Sequence, residues 1–89
     1  MAAEYNLKIL TPNRKELDEA VVSIVAPGEA GYLGVLANHA PLITTLQRGT
    51  LKVRFSDNRE REFEISGGIL KVAHNEAILL TESIVAAGE

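Results

Sequence analysis

The stretch TLKVRFS constrains this chain more than any other part of it. Leu51, Val53 and Phe55 alternate with Lys52, Arg54 and Ser56, and a period of two sends successive side chains to opposite faces of an extended strand. Such a strand has one dry face and needs a partner beside it. After the turn SDNR, the segment EREFEI supplies one, with Phe63 and Ile65 inward and Glu62 and Glu64 outward, so the two read as a hairpin. Lys52 and Arg54 set against Glu62 and Glu64 give cross-strand pairs worth about 0.2 to 1 kcal/mol each, which favours one register.

Similar units lie on both sides: YNLKIL with Tyr5, Leu7 and Ile9; AVVSIVA around Val22 and Ile24; GYLGVL; LITTL; GGILKVA; and AILLTES after the turn HNE. Short strands at turn-delimited spacing build a sandwich or barrel, so the fold class is all-β. NRKELDEA is the one segment of helix-forming composition, yet Leu17 is its only large apolar residue, too little to anchor an amphipathic helix. It reads as a hairpin with at most a helical turn, and the final VAAGE as a fraying end. Eighty-nine residues, 46% hydrophobic and 24% charged, suit one small core and a single domain, 1–89, that buries roughly 60–65% of its unfolded surface.

The same composition removes several function classes. Cysteine is absent, so there is no disulfide and no thiolate nucleophile or ligand. MAAEYNLKIL carries Glu4 and Lys8 and has neither the pattern of a signal peptide nor that of an anchor. Apolar runs such as AILL fall far short of the ~20 residues that span a bilayer, so no direct membrane insertion is expected. A net charge of -3 argues against a nucleic-acid binder, which needs clustered Lys and Arg. Protein partners are the default.

Candidate chemistry is sparse. His39 and His74 are the only histidines, and nothing in the spacing gathers carboxylates around either, so no metal site and no cofactor is expected. Ser66 in ISGGIL invites comparison with a nucleophile elbow, but Glu64 stands where that motif requires glycine. Gly67 and Gly68 read instead as a bulge or a point of close backbone approach. Lys52, Arg54, Arg59 and Arg61 are interleaved with Asp57, Glu60, Glu62 and Glu64, which cancels much of a basic strip. APGEAGYLG has glycines but not the Lys and Ser or Thr of a phosphate loop. On that expected loop Tyr32 and Leu33 either dock onto a partner or fold back onto the core. In GVLANHAPLITTL, Pro41 holds Ala40 extended and marks an edge strand, so His39, Pro41, Thr44 and Thr45 form an exposed docking rim. Two other readings compete: a single-strand nucleic-acid-binding β-barrel module using residues 52 to 61, and a small hydrolase using Ser66 and His39. The first lacks exposed aromatics for base stacking, the second an acid and an oxyanion pocket.

These residues also carry a resemblance. GYLGVLANHAPLITTLQRGTLKV is similar to the segment G-x-L-G-x-L-x-x-H-A-P-L-x-T-x-L-x-x-G of the epsilon subunits of rotary F-type ATP synthases, counterparts of the mitochondrial delta subunit. SGGILKV resembles their S-G-G-x-L-x-V, and VVSIVAPGEAG stands where they have the strand and loop before the first motif. The resemblance covers essentially the whole chain. It implies a flattened β-sandwich of about ten strands without catalytic residues, part of the central stalk that couples proton flow to ATP synthesis. The implied partners are the gamma subunit and the c-ring of the membrane sector, with the catalytic head subunits touched only indirectly. The implied location is peripheral, on the cytoplasmic face of a bacterial inner membrane or the equivalent side of an organelle membrane. Carried over by position, Thr11, His39, Pro41, Leu42, Thr44 and Ser66 fall on or near the gamma-facing side, and Gly28, Glu29, Ala30, Gly31 and Tyr32 form the loop that meets the ring. Many members have an acidic residue at the place of Tyr32 and glycine at that of Asn38, so a more apolar ring contact is expected here. Members usually continue into two C-terminal helices that inhibit ATP hydrolysis. This sequence stops at Glu89, as a naturally short member or as a fragment, and that switch is not assigned to it.

Overall fold

A computed structural model describes residues 3–87. They form nine strands: β1 (Tyr5–Leu10), β2 (Lys15–Gly28), β3 (Gly31–Leu36), β4 (Leu42–Leu46), β5 (Gly49–Phe55), β6 (Glu60–Ile65), β7 (Gly68–Ala73), β8 (Glu76–Leu80) and β9 (Ile84–Ala87). The hydrogen-bonded order is β1-β8-β7-β4-β2-β5-β6-β9, with β3 on β2 and β1 also paired to β2. The sheet therefore doubles back on itself into a sandwich with barrel-like closure. All-β architecture is as expected, with nine strands where about ten were anticipated.

The count is lower because β2, fourteen residues long, does the work of two strands. Its first half pairs with β1, from Leu10↔Lys15 to Tyr5↔Val21. Its second half lies between β3 and β5, Val25 facing both Gly34 and Lys52. The register shifts between Val21 and Ser23, and the extra residue of such a bulge bends and twists the strand. That bend carries β2 from one layer into the other. It also resets the alternation, so Val21 and Ile24 are buried and Val22 is only half-buried, which corrects the inward assignment of Val22.

Three other expectations are corrected. NRKELDEA is no helical turn: its residues from Lys15 on belong to β2. Leu17 opposite Ile9 packs against the core, and the β1 ladder supplies what its sparse apolar content does not. The end does not fray before Ala87, because Ile84–Ala87 pairs with Glu62–Ile65 of β6; Gly88 and Glu89 lie outside the described residues. APGEAGYLG is not a loop but a tight hairpin in which Gly28 pairs with Gly31 around Glu29 and Ala30.

The β5–β6 hairpin follows its sequence pattern. Lys52 faces Glu62 as anticipated, while Arg54 faces Glu60 and Thr50 faces Glu64. Leu51, Val53, Phe55 and Ile65 join Leu7, Ile9, Leu70 and Leu79 in a single interior cluster. Burying a side chain of the size of Phe55 stabilises by about 1.5–3 kcal/mol. The one tyrosine in the core keeps a partner: the Tyr5 hydroxyl donates to the Val35 carbonyl at 2.7 Å. Burial pushes its pKa well above the usual phenol value. Gly68 is the close approach anticipated from sequence. At φ 142° an added Cβ would lie 1.8 Å from the Leu80 carbonyl oxygen, which no side chain tolerates.

Candidate interaction surface

The two layers present different outer faces. On the β4–β7–β8–β1 side, the registers align Thr45, Ile69, Leu80 and Leu10 in one row and Ile43, Lys71, Ile78 and Lys8 in the next. Ile43 is 72% exposed, Leu80 46% and Ile69 45%, with Ile78 and Leu10 half-buried beside them. Grouped apolar side chains on a sheet face form a patch of the kind that marks an interaction site. Charge enters at Lys71 within the patch and towards β1 and β2, where Lys8 meets Glu76 of β8 at 3.4 Å and Lys15 meets Asp18 at 2.9 Å. Hydrogen bonds from Lys15 and Asn6 hold the Asp18 pKa below the usual carboxylate range.

Features at each end of β4 bound this face. Pro41 stands just before the strand, and β4 pairs fully with β7 while its other flank meets β2 only at Leu46↔Gly28. The edge inferred from Pro41 is therefore present over most of β4. Asn38, before it, has φ 65°, a left-handed conformation that Asn accepts more readily than most residues. Asn75 fixes this turn: its Oδ1 accepts the Asn38 N–H at 2.9 Å, and its Nδ2 donates to the Glu4 carbonyl at 2.7 Å. His39 is half-buried, not fully exposed as expected. Its Nδ1 lies 2.7 Å from the Ala40 carbonyl oxygen; since a carbonyl only accepts, Nδ1 carries the proton and Nε2 is left for another partner.

At the other end lies a groove of about 440 Å³, lined by Thr11, Pro12, Ser66, Gly67, Leu80 and Thr81 among others. Ser66 Oγ accepts the Ser83 N–H at 3.1 Å and lies 3.4 Å from the Thr81 hydroxyl. The Thr11 hydroxyl donates to the Glu16 carboxylate at 3.1 Å. Thr11 and Ser66 are thus brought together, whereas His39 sits at the opposite end of the β4–β7 ladder from Ser66, too far for the pairing a hydrolase needs. Leu42 packs against the core and Thr44 is half-buried. The residues of β4 that point outward are Ile43 and Thr45, and Ile43 was missed.

The β2–β3 tip is fastened to the same strand. The Glu29 N–H donates to the Thr45 carbonyl at 3.2 Å and the Gln47 N–H to the Pro27 carbonyl at 2.8 Å. The two glycines are required there. A Cβ on Gly28 would lie 2.8 Å from the Gly31 carbonyl oxygen, and Gly31 has φ 129°. Of the two apolar side chains, Tyr32 points outward, 60% exposed, and Leu33 folds back onto the core.

The opposite outer face is charged and largely matched along β5 and β6, with Leu36 and Val85 exposed on β3 and β9 beyond them. Arg54 pairs with Glu60, and the Thr50 hydroxyl donates to Glu64 at 2.6 Å. Arg59 meets Asp57 at 2.8 Å and Glu19 at 2.9 Å. Hydrogen bonding from Arg59, first of all from its backbone N–H, lowers the Asp57 pKa. Arg59 and Arg61 cover the rings of Phe55 and Phe63, at 4.6 and 5.2 Å from the centroids. Arg54 and Arg59 are thus engaged by carboxylates and these rings are buried, which removes the main features of the nucleic-acid reading. Among the described residues no helix is long and apolar enough to cross a membrane.

Comparison with known proteins agrees with this architecture. Residues 4–87 match the family described as ATP synthase, Delta/Epsilon chain, beta-sandwich domain. The ATP synthase epsilon chain of Moorella thermoacetica is 43% identical over 81 residues, which are 91% of this chain and 60% of that protein. The epsilon chain of Dichelobacter nodosus is 38% identical over 89 residues, 62% of its own length. That of Chlorobium limicola is 39% identical over 80 residues, 91% of its length. This chain thus spans less than two thirds of the first two relatives and nearly all of the third. Among solved structures, a chain in the cryo-EM structure of the Euglena gracilis mitochondrial ATP synthase OSCP/F1/c-ring assembly superposes with a TM-score of 0.90 at 26% identity. The match covers 97% of this chain and 55% of that one. The chain belongs to the delta/epsilon beta-sandwich family of ATP synthase subunits.

Proposed function

We propose that this chain is a non-catalytic rotor element of an F-type ATP synthase, joining the gamma subunit to the c-ring so that proton-driven torque reaches the catalytic head. The observation that carries the reading is the exposed apolar face of Ile43, Ile69 and Leu80 on a chain of this family. Large apolar side chains grouped in adjacent rows of one sheet face call for a protein partner. In this reading gamma lies against that face, with the His39–Pro41 turn at one end and the groove of Thr11 and Ser66 at the other. Residues Gly28, Glu29, Ala30, Gly31 and Tyr32 meet the ring. Tyr32 gives that contact an exposed aromatic ring, its hydroxyl turned toward the Thr50 N–H at 3.5 Å.

β4 joins the two contacts mechanically. It has five residues, about 17 Å at ~3.3 Å each, with the His39 turn at its start and the β2–β3 tip bonded near its end. Load applied at one contact passes along a strand cross-linked by β7 rather than through a loop. Catalysis stays on other chains, and no cofactor is used. The chain sits peripherally on an energy-transducing membrane, at its cytoplasmic face in a bacterium or the equivalent side of an organelle membrane. Mixing the chain with purified gamma should give a complex that survives gel filtration at micromolar concentration. Two separate peaks under those conditions would count against the proposal.

A further inference from the structure

Lys71 occupies an unusual place on the apolar face. It stands mid-strand on β7, with Ile43 beside it on β4 and Ile78 beside it on β8. Ile69, two residues away on the same strand, points outward with it. Among the described residues no carboxylate lies within the 4.0 Å of an ion pair to its ammonium. The nearest acidic residue on the neighbouring strand, Glu76, is taken by Lys8 at 3.4 Å. Lysine on an edge strand often serves to block unwanted pairing, but β7 is flanked on both sides by β4 and β8 and has no edge to protect. Across the molecule, Arg54 and Arg59 are both matched by acids on the charged face. Arg48, Lys52 and Arg61 also lack an ion pair among the described residues, but Lys52 faces Glu62 across β5 and β6, whereas Lys71 stands between two isoleucines.

We infer that Lys71 is a specificity determinant: the partner surface covering this face is apolar and presents one carboxylate, Asp or Glu, opposite the Lys71 ammonium. This rests on the reading that gamma covers the face, and adds what gamma must offer there. Docking any apolar surface over Lys71 without a counter-charge would strand a desolvated cation, which strongly penalises the wrong partner. With the carboxylate in place the pair is ringed by Ile43, Ile69 and Ile78, where water is excluded and the attraction is stronger than at an exposed site.

The test is calorimetric titration of gamma with the wild-type chain and with Lys71→Met, Lys71→Glu and Ile43→Asp, each first checked for an unchanged melting temperature. Lys71→Met keeps the apolar stem but strands the partner's carboxylate, so Kd should rise about 30-fold or more. Lys71→Glu should be weaker still, and an Asp or Glu→Lys change on gamma should recover at least tenfold of that loss. Wild-type affinity, or tighter binding, for Lys71→Met with weakened binding for Ile43→Asp would overturn the carboxylate while leaving the face in use. Wild-type affinity for Ile43→Asp as well would overturn the gamma reading itself.

Discussion

The two outer faces of this sandwich differ although their inner faces follow one rule. Along β5 and β6 the outward residues are Lys52, Arg54, Glu60, Glu62 and Glu64, arranged so that each strand answers the other. Along β4, β7 and β8 the outward residues include Ile43, Ile69 and Leu80, in rows that also hold Ile78, Leu10, Thr45 and the cation Lys71. Solvent satisfies β5 and β6, although Leu36 and Val85 are exposed on the strands that lie beyond them. The second face leaves large aliphatic groups partly in water, each of which would gain roughly half to three quarters of the about 1.5–3 kcal/mol that full burial of such a side chain gives. Under the proposed function the second face is the one that meets gamma, and the contrast between the two faces is what that proposal rests on.

That contrast can be broken or sharpened by mutation. The largest effect belongs to the interior beneath the charged face: Phe55→Ala should destabilise the fold by about 3–5 kcal/mol, read from the urea midpoint at constant slope. A loss below ~1 kcal/mol would mean the inner face is not packed as described. Next is Ile43→Asp, which should weaken gamma binding by about 2 kcal/mol or more while leaving the melting temperature nearly unchanged. Loss of stability instead of affinity would move Ile43 from the interface into the fold. Asn75→Ala should cost about 1–3 kcal/mol through its lost bonds to Asn38 and Glu4 and through the left-handed φ of 59° that Asn accepts more readily than Ala. It should also speed amide exchange at Asn38 before that of β7. On the charged face, Glu62→Ala should change neither stability nor gamma affinity by more than ~0.5 kcal/mol.

The smallest effect is in acid. Asp18 and Asp57 have folded pKa values below the ordinary one, so the unfolded chain takes up their protons first as pH falls. Their contribution is present above the ordinary Asp value of about 3.9 and is lost as pH drops through the lower folded values. Urea midpoints measured between pH 6 and roughly pH 3 should fall, and Asp57→Asn should flatten that slope slightly. An unchanged slope would show that the Asp57–Arg59 contact does not persist in solution.

How much of this was legible in sequence depended on whether a strand carried one face or two. TLKVRFS and EREFEI alternate cleanly and gave both hairpin and facing. LITTL has large apolar residues on both sides, Leu42 inward and Ile43 outward, so the more exposed of the two passed unnoticed. β2 hid behind its bulge at Val22, which breaks the period, and behind a charged first half whose sheet role depends on β1. GEAG concealed its tight turn because glycines fit loops and hairpins alike, and only the Gly28↔Gly31 pairing decides. Of the candidate site, His39 and Thr44 came from the edge that Pro41 marks and again from resemblance, and Thr11 and Ser66 from resemblance alone. Lys71 had no sequence signal, since its meaning lies in its cross-strand neighbours.

The most direct measurement is hydroxyl-radical footprinting of the chain alone and bound to gamma. Oxidation of Ile43, Ile69 and Leu80 should fall sharply on binding, while that of Leu36 and Val85, exposed on the other layer, should stay as it is. Protection of Leu36 and Val85 with Ile43 and Ile69 still reactive would put the partner on the wrong face and contradict the account.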